Sequence, residues 1–254
     1  KVYTVVNLRQ LYGKMPDLKG FHTQEVELPQ QKTFTLEHYK GRNYNTTVWS
    51  QYVLFPQQTG KLEIPSITFD GVVAQQTISD DPFDAFFNGG GYVEVKKKIT
   101  TPKVVINVQP LPAKPAGFSG AVGEFKLASS INATDVKTND AVTIKLTLSG
   151  TGNMKLIGTP EVKFPQDFEI YDPKVTDDYK LTNSGLTGTK TFEYLAIPRH
   201  AGNFMIPAIE FTYFDLKSNS YKTLKTEAYN LKVAKGQGNA DQVISDFTNK
   251  ESVK

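Results

Sequence analysis

Two stretches of this chain carry one pattern. YVLFPQQTGKLEIPSITF at 52–69 aligns without a gap with YLAIPRHAGNFMIPAIEF at 194–211. Tyr52/Tyr194, Pro56/Pro198, Gly60/Gly202, Ile64/Ile206, Pro65/Pro207, Ile67/Ile209 and Phe69/Phe211 are identical pairs, each 142 positions apart. A period of that length is the size of a domain and far longer than a solenoid repeat. The chain is therefore constrained to fold as two copies of one architecture. The shared unit reads as strand, turn, strand: a proline that cannot donate to a sheet closes the first strand, and a glycine turns the chain. An Ile-Pro pair then ends the second strand. In Ile209, Phe211 and Tyr213 every second residue is apolar, as one buried sheet face requires.

The remainder of the second copy follows the same period. Val142, Ile144, Leu146 and Leu148 alternate in AVTIKLTLSG, and Tyr229, Leu231 and Val233 alternate in YNLKV. TKTFEYLAI reads similarly, and turn signals such as TND, GTGN, YDP, TNSG and KSNS interrupt at short intervals. The expected fold is all-β, two tandem immunoglobulin-like antiparallel β-sandwich domains. KVYTVVNL at residue 1 resembles AVTIKLTL at 141, but the second copy is preceded from Phe118 by a further strand-like stretch, GEFKLASS. On that match the first domain is expected to be truncated at its N-terminus and the chain to be a fragment. The expected division is a first sandwich at 1–109, a proline- and glycine-rich linker at 110–119, a second sandwich at 120–235 and a polar tail at 236–254. Val243, Ile244 and Phe247 fit one face of a short helix, but the tail's composition favours disorder.

The bulk numbers narrow the functional classes. Of 254 residues 39% are apolar and 22% charged, enough for each half to bury a core. The net charge of +3 is almost all lysine, with only Arg9, Arg42 and Arg199 as arginines, and the lysines are scattered among acids. That pattern argues against nucleic acid as a partner. With no cysteine, disulfides, thiolate zinc sites and cysteine nucleophiles are excluded together. No apolar run approaches the roughly 18 residues that span a bilayer.

The two copies differ most in one place. TPKVVINV, ending at Val108, matches TEAYNLKV, ending at Val233, at an offset of 125 instead of 142. The first copy thus carries 17 extra residues between Phe69 and Thr101. DDPFDAFFNGGGY at 80–92 lies in this insertion, and insertions into a repeated scaffold are where function is grafted. Asp81 suits a helix N-cap, Pro82 the first helical position and Asp84 the first turn. Phe83, Phe86 and Phe87 follow at i, i+3 and i+4 on one face, and Asn88 and Gly89 supply a stop. Asp81, Pro82, Phe83, Asp84, Phe86 and Phe87 are the candidate partner-binding residues. Three phenylalanines serve equally to grip a partner or to cover an apolar gap in their own domain.

Other chemistry is sparse. The acids of DDPFD lack the spacing of a calcium loop, and two acids on one turn cannot flank a glycosidic bond. His22, His38 and His200 lie on different segments without metal-ligand spacing. No serine sits in a nucleophile elbow, and GTGN lacks the rest of a dinucleotide fingerprint. Trp49 and Tyr44 raise the alternative of a carbohydrate-binding or adhesin-like sandwich, although aromatics at such strand positions are expected in the core. No catalytic residue, cofactor or metal is expected.

LSGTGNMKLIGTPEVKFPQDFEIYDPKV, followed by GLTGTKTFEYLAIPRHAGNFMIPAIEFTYFDLKSNSYKTLKT, resembles the BatD oxygen-tolerance (aerotolerance) family of Bacteroides and related bacteria. The DPFDAFF insertion is similar to an acidic-phenylalanine segment of that family. The resemblance implies a periplasmic or cell-envelope protein with tandem immunoglobulin-like domains, an N-terminal signal and a later transmembrane anchor, both outside these residues. It also implies protein partners in the envelope: von Willebrand A-domain proteins, a TPR protein and a MoxR-type ATPase. The implied role is a non-enzymatic scaffold in a Bat-type complex supporting oxygen or stress tolerance, and the family supplies no catalytic residues to carry over.

Overall fold

The computed structural model describes residues 1–76, 92–182, 185–236 and 241–249. The chain divides into two compact units, Lys1–Leu111 and Pro112–Lys254. Among its described residues the first unit contains ten strands: β1 (Val2–Thr4), β2 (Asn7–Gly13), β3 (Phe21–Glu25), β4 (Thr35–Tyr39), β5 (Arg42–Thr47), β6 (Tyr52–Pro56), β7 (Gly60–Ile64), β8 (Thr68–Gln76), β9 (Tyr92–Thr100) and β10 (Val104–Val108). They assemble as β1-β5-β4, β2-β8-β9, β3-β6 and β7-β10, all antiparallel. Its core is thin, built on Leu11, Leu18, Phe55, Leu62, Val73 and Ala74.

The second unit contains β11 (Phe118–Ile131), β12 (Asp135–Lys137), β13 (Val142–Gly152), β14 (Phe168–Ile170), β15 (Lys174–Thr182), β16 (Gly185–Pro198), β17 (Gly202–Ile206), β18 (Glu210–Asp215), β19 (Ser220–Lys225) and β20 (Tyr229–Ala234). One run of strands is ordered β14-β16-β13-β11-β18-β19, with β15 also on β16, and faces β12-β20-β17 in an immunoglobulin-like sandwich. Strand β11 changes partner along its length. Phe118 and Val122 pair with β18 in parallel, and Gly123 to Ile131 pair with β13 antiparallel. The alternating residues of β13, Val142, Ile144, Leu146 and Leu148, are completely buried against Phe192, Phe211, Ile206 and Leu231.

One row of this sheet explains two glycines. Phe125, Gly150, Gly188 and Tyr179 stand opposite one another across β11, β13, β16 and β15. A Cβ on Gly150 would meet the Glu124 carbonyl oxygen at 2.0 Å, and one on Gly188 the Asp178 carbonyl oxygen at 2.0 Å. The strands approach so closely there that only glycine fits.

The repeat is reproduced bond by bond. Strands β6 and β16 both end at the shared proline, and β7 and β17 both run from the shared glycine to the shared isoleucine. Ile64 pairs with Val104 as Ile206 pairs with Tyr229, and Gly60 with Val108 as Gly202 with Val233. Thr101 donates its backbone N–H to the Ile67 carbonyl, and the Thr101 hydroxyl accepts from the Ile67 N–H at 2.9 Å. Thr226 and Ile209 make the same two bonds in the second unit. The change of offset from 142 to 125 falls within the β8–β9 hairpin. Its counterpart β18–β19 turns after Asp215↔Ser220, while β8–β9 continues to Gln76↔Tyr92 before residues 77–91.

Two expectations are corrected. The match of residues 1–8 to 141–148 is displaced. Counting from the turn-closing pairs Tyr39↔Arg42 and Thr182↔Gly185, Val2 on Thr47 stands where Leu148 stands on Lys190, well past Val142. Alternation identifies a strand, but pairing sets its register. The tail is also not irregular throughout: Asp241–Asn249 is an α-helix, α1, with Ile244 and Phe247 half-buried. The spacing of its apolar residues prevails over its polar composition.

Candidate functional site

Asp81, Pro82, Phe83, Asp84, Phe86 and Phe87 lie outside the described residues. What is described is the hairpin that carries them. Strand β9 is a sheet edge with Lys96, Lys97 and Lys98 in succession, and lysines on an edge discourage pairing with another chain. Tyr92 and Val93, at the insertion end of the hairpin, are exposed.

A second surface of the first unit was not singled out in the sequence. Cross-strand register sets Tyr39 beside Arg42, Glu37 beside Tyr44, and Thr35 and Tyr3 on either side of Thr46. These residues alternate along β4 and β5 and so share one face of the β1-β5-β4 sheet. The Tyr3 ring lies 5.1 Å from Tyr39, tilted, and 5.9 Å from Tyr44, edge-on. Each ring carries a cation: Lys1 at 5.7 Å from the Tyr3 centroid, Lys40 at 5.4 Å from Tyr39 and Arg42 at 5.9 Å from Tyr44. Tyr44, expected in the core, belongs instead to this aromatic face and is half-buried there. Trp49 is half-buried in the segment between β5 and β6 and does not join it.

The turn joining β4 to β5 holds this arrangement. Lys40 (φ 49°) and Gly41 (φ 79°) both occupy the left-handed region, as a two-residue hairpin requires. Asparagine is the usual residue at the first position, and a lysine there is conformationally uncommon. Glu37 is the only carboxylate among these face residues. The Lys1 ammonium hydrogen-bonds it and lowers its pKa, leaving three cations to one anion.

The remaining titratable groups are dispersed. Lys190 is 7% exposed on the inner face of β16, with the Asp177 carboxylate 3.7 Å away and the Phe192 ring beneath it. Burial, and then Asp177, push the neighbouring Tyr179 phenol up. Burial raises Tyr194 as well, and its hydroxyl donates to the Pro160 carbonyl at 2.6 Å. Arg199 bridges Glu169 and Asn139 and pins the β16–β17 corner. His22 faces Phe55, His38 meets Asn43 at 2.9 Å and His200 meets Asp167 at 3.6 Å, three separate places. Among the described residues no group of three or more His, Asp or Glu side chains is placed to hold a metal ion. No helix among them is long and apolar enough to cross a membrane.

Comparison with known proteins gives one finding. The family model described as BatD DUF11 like domain matches residues 129–233, from the second half of β11 through β20. Neither a curated protein nor a solved structure matches the chain. The matched stretch includes both partners of the longest sheet pairing, β13 and β16, and the second copy of the repeated unit. Residues 129–233 are thus similar to the BatD DUF11 like domain.

Proposed function

We propose that the chain is a non-enzymatic interaction module of the cell envelope, a scaffold within a Bat-type complex that supports oxygen or stress tolerance. The observation that carries this reading is the BatD DUF11 like match over residues 129–233, most of the second unit's immunoglobulin-like sandwich. Such sandwiches present rigid faces, edges and loops on which contacts are built. The exposed tyrosine–cation face of the first unit adds a surface of the composition that interfaces favour, aromatic and cationic. The partners of this reading are envelope proteins of the von Willebrand A-domain and TPR types and those linked to a MoxR-type ATPase.

The test is crosslinking of the full-length protein in native membranes, followed by identification of what is trapped. Recovery of Bat-type envelope proteins is expected. Recovery of soluble cytoplasmic proteins alone, or turnover of a small molecule abolished by one substitution in the purified chain, would overturn the reading.

A further inference from the structure

Strand β4 is the edge of the β1-β5-β4 sheet and lies beside the tyrosine–cation face. Because a two-residue turn closes on Tyr39↔Arg42, the backbone groups of Tyr39, Glu37 and Thr35 bond to β5. Those of Leu36 and His38 therefore point outward, along an edge whose sequence, TLEHY, contains neither lysine nor proline. Leu36 is 71% exposed on the face opposite the tyrosines. Among the described residues this edge thus offers unpaired backbone, a cationic aromatic stripe on one side and an apolar side chain on the other.

We propose that the β4 edge docks an extended acidic segment of a partner protein, which adds to the sheet as a further strand. The proposal deepens the interaction-module reading and rests on it. Strand addition supplies affinity through main-chain hydrogen bonds and specificity through alternate side chains. An acidic residue opposite Tyr39 would face Lys40 and Arg42, and apolar residues on the other face would cover Leu36. Charge complementarity selects this occupant, since among the described residues Glu37 pairs with Lys1 and no carboxylate pairs with Lys40 or Arg42. The chain's own cations already stand over the three rings, which leaves the ring faces unsuited to stacking a pyranose or a nucleobase. Of these three cations only Lys1 already has a carboxylate partner among the described residues.

The experiment uses the whole chain and a short blocked peptide alternating glutamate and valine. Saturable binding is expected, weakening as ionic strength rises from about 0.05 M to about 0.5 M. Amide exchange followed by NMR should show new protection at Leu36 and His38. The double variant Lys40→Glu/Arg42→Glu, exposed and compatible with folding, should weaken binding by about tenfold or more. His38→Pro deletes one outward N–H while sparing the β4–β5 pairing, and should weaken it by about fivefold once circular dichroism shows an intact sheet. No binding, or binding without protection at those two amides, overturns the proposal. Tighter binding of polygalacturonate or oligo-dT than of the peptide also overturns it, in favour of an acidic glycan or a nucleic acid. None of these failures touches the crosslinking result, so the docking edge and the envelope role fail separately.

Discussion

Asp215 shows how far one side chain can be committed by its surroundings. It is 3% exposed at the end of β18, where the Lys222 ammonium and the Lys217 backbone N–H, at 2.8 Å, both serve its carboxylate. The Lys222 hydrogen bond, first, and the backbone bond, second, lower its pKa from 3.8 to about 2. A carboxyl depressed in the folded state adds stability that is complete above its unfolded pKa and lost as pH falls through the folded one. The second unit should therefore lose stability between about pH 4 and about pH 2, and Asp215→Asn should flatten that part of the profile. Thermal melts of both proteins across this range check it; parallel profiles would refute the assignment. The sequence marks Asp215 only as the last residue before a turn, since its ammonium partner is supplied by the returning strand.

Among elements, the β11-β13-β16-β15 sheet depends on the row through Gly150 and Gly188. Gly188→Ala sets a methyl group against the Asp178 carbonyl, a backbone atom that cannot rotate away. We expect a loss of about 3 kcal/mol or more, measured by urea unfolding. Gly158→Ala, at a site with no heavy atom within 4 Å of the added Cβ, should change little. A smaller loss at Gly188 than at Gly158 would mean that the strands can part. Element existence was well marked by pattern: Val142 to Leu148, Phe211 to Tyr213 and Leu231 to Val233 each lie in a strand with those alternate residues buried. Register was not. Residues 1–8 alternate well enough to match many strands, and their place came from pairing with β5. The tyrosine face was missed for a related reason. Tyr3, Tyr39 and Tyr44 meet only when three strands pair, although Tyr-Lys-Gly-Arg at 39–42 already carried the hairpin turn and two of its cations.

At the scale of the molecule, the two units differ in how fully their cores close. Among the described residues, every large side chain under 2% exposed lies in the second unit except Thr46. In the first unit Val93 and Ile99, beside the apolar face of β8, stay 45% and 57% exposed. Buried apolar area sets most of a domain's stability, so two unfolding transitions are expected, the first unit melting at the lower temperature. Differential scanning calorimetry, with tryptophan fluorescence reporting the first unit through Trp49, tests this. One cooperative transition seen by both methods would show that the units fold as one.

The sequence by itself determined the fold class and the duplication, because alternation, turn chemistry and a seven-residue identity at a fixed offset are local properties. It also carried the BatD resemblance, in motifs that lie within the matched domain. Only the tertiary structure decided which strands pair, which glycines are obligatory, and that three tyrosines with their cations share one face beside an open edge. Those features depend on contacts between residues distant in the chain, and no local pattern encodes which partner a strand edge meets.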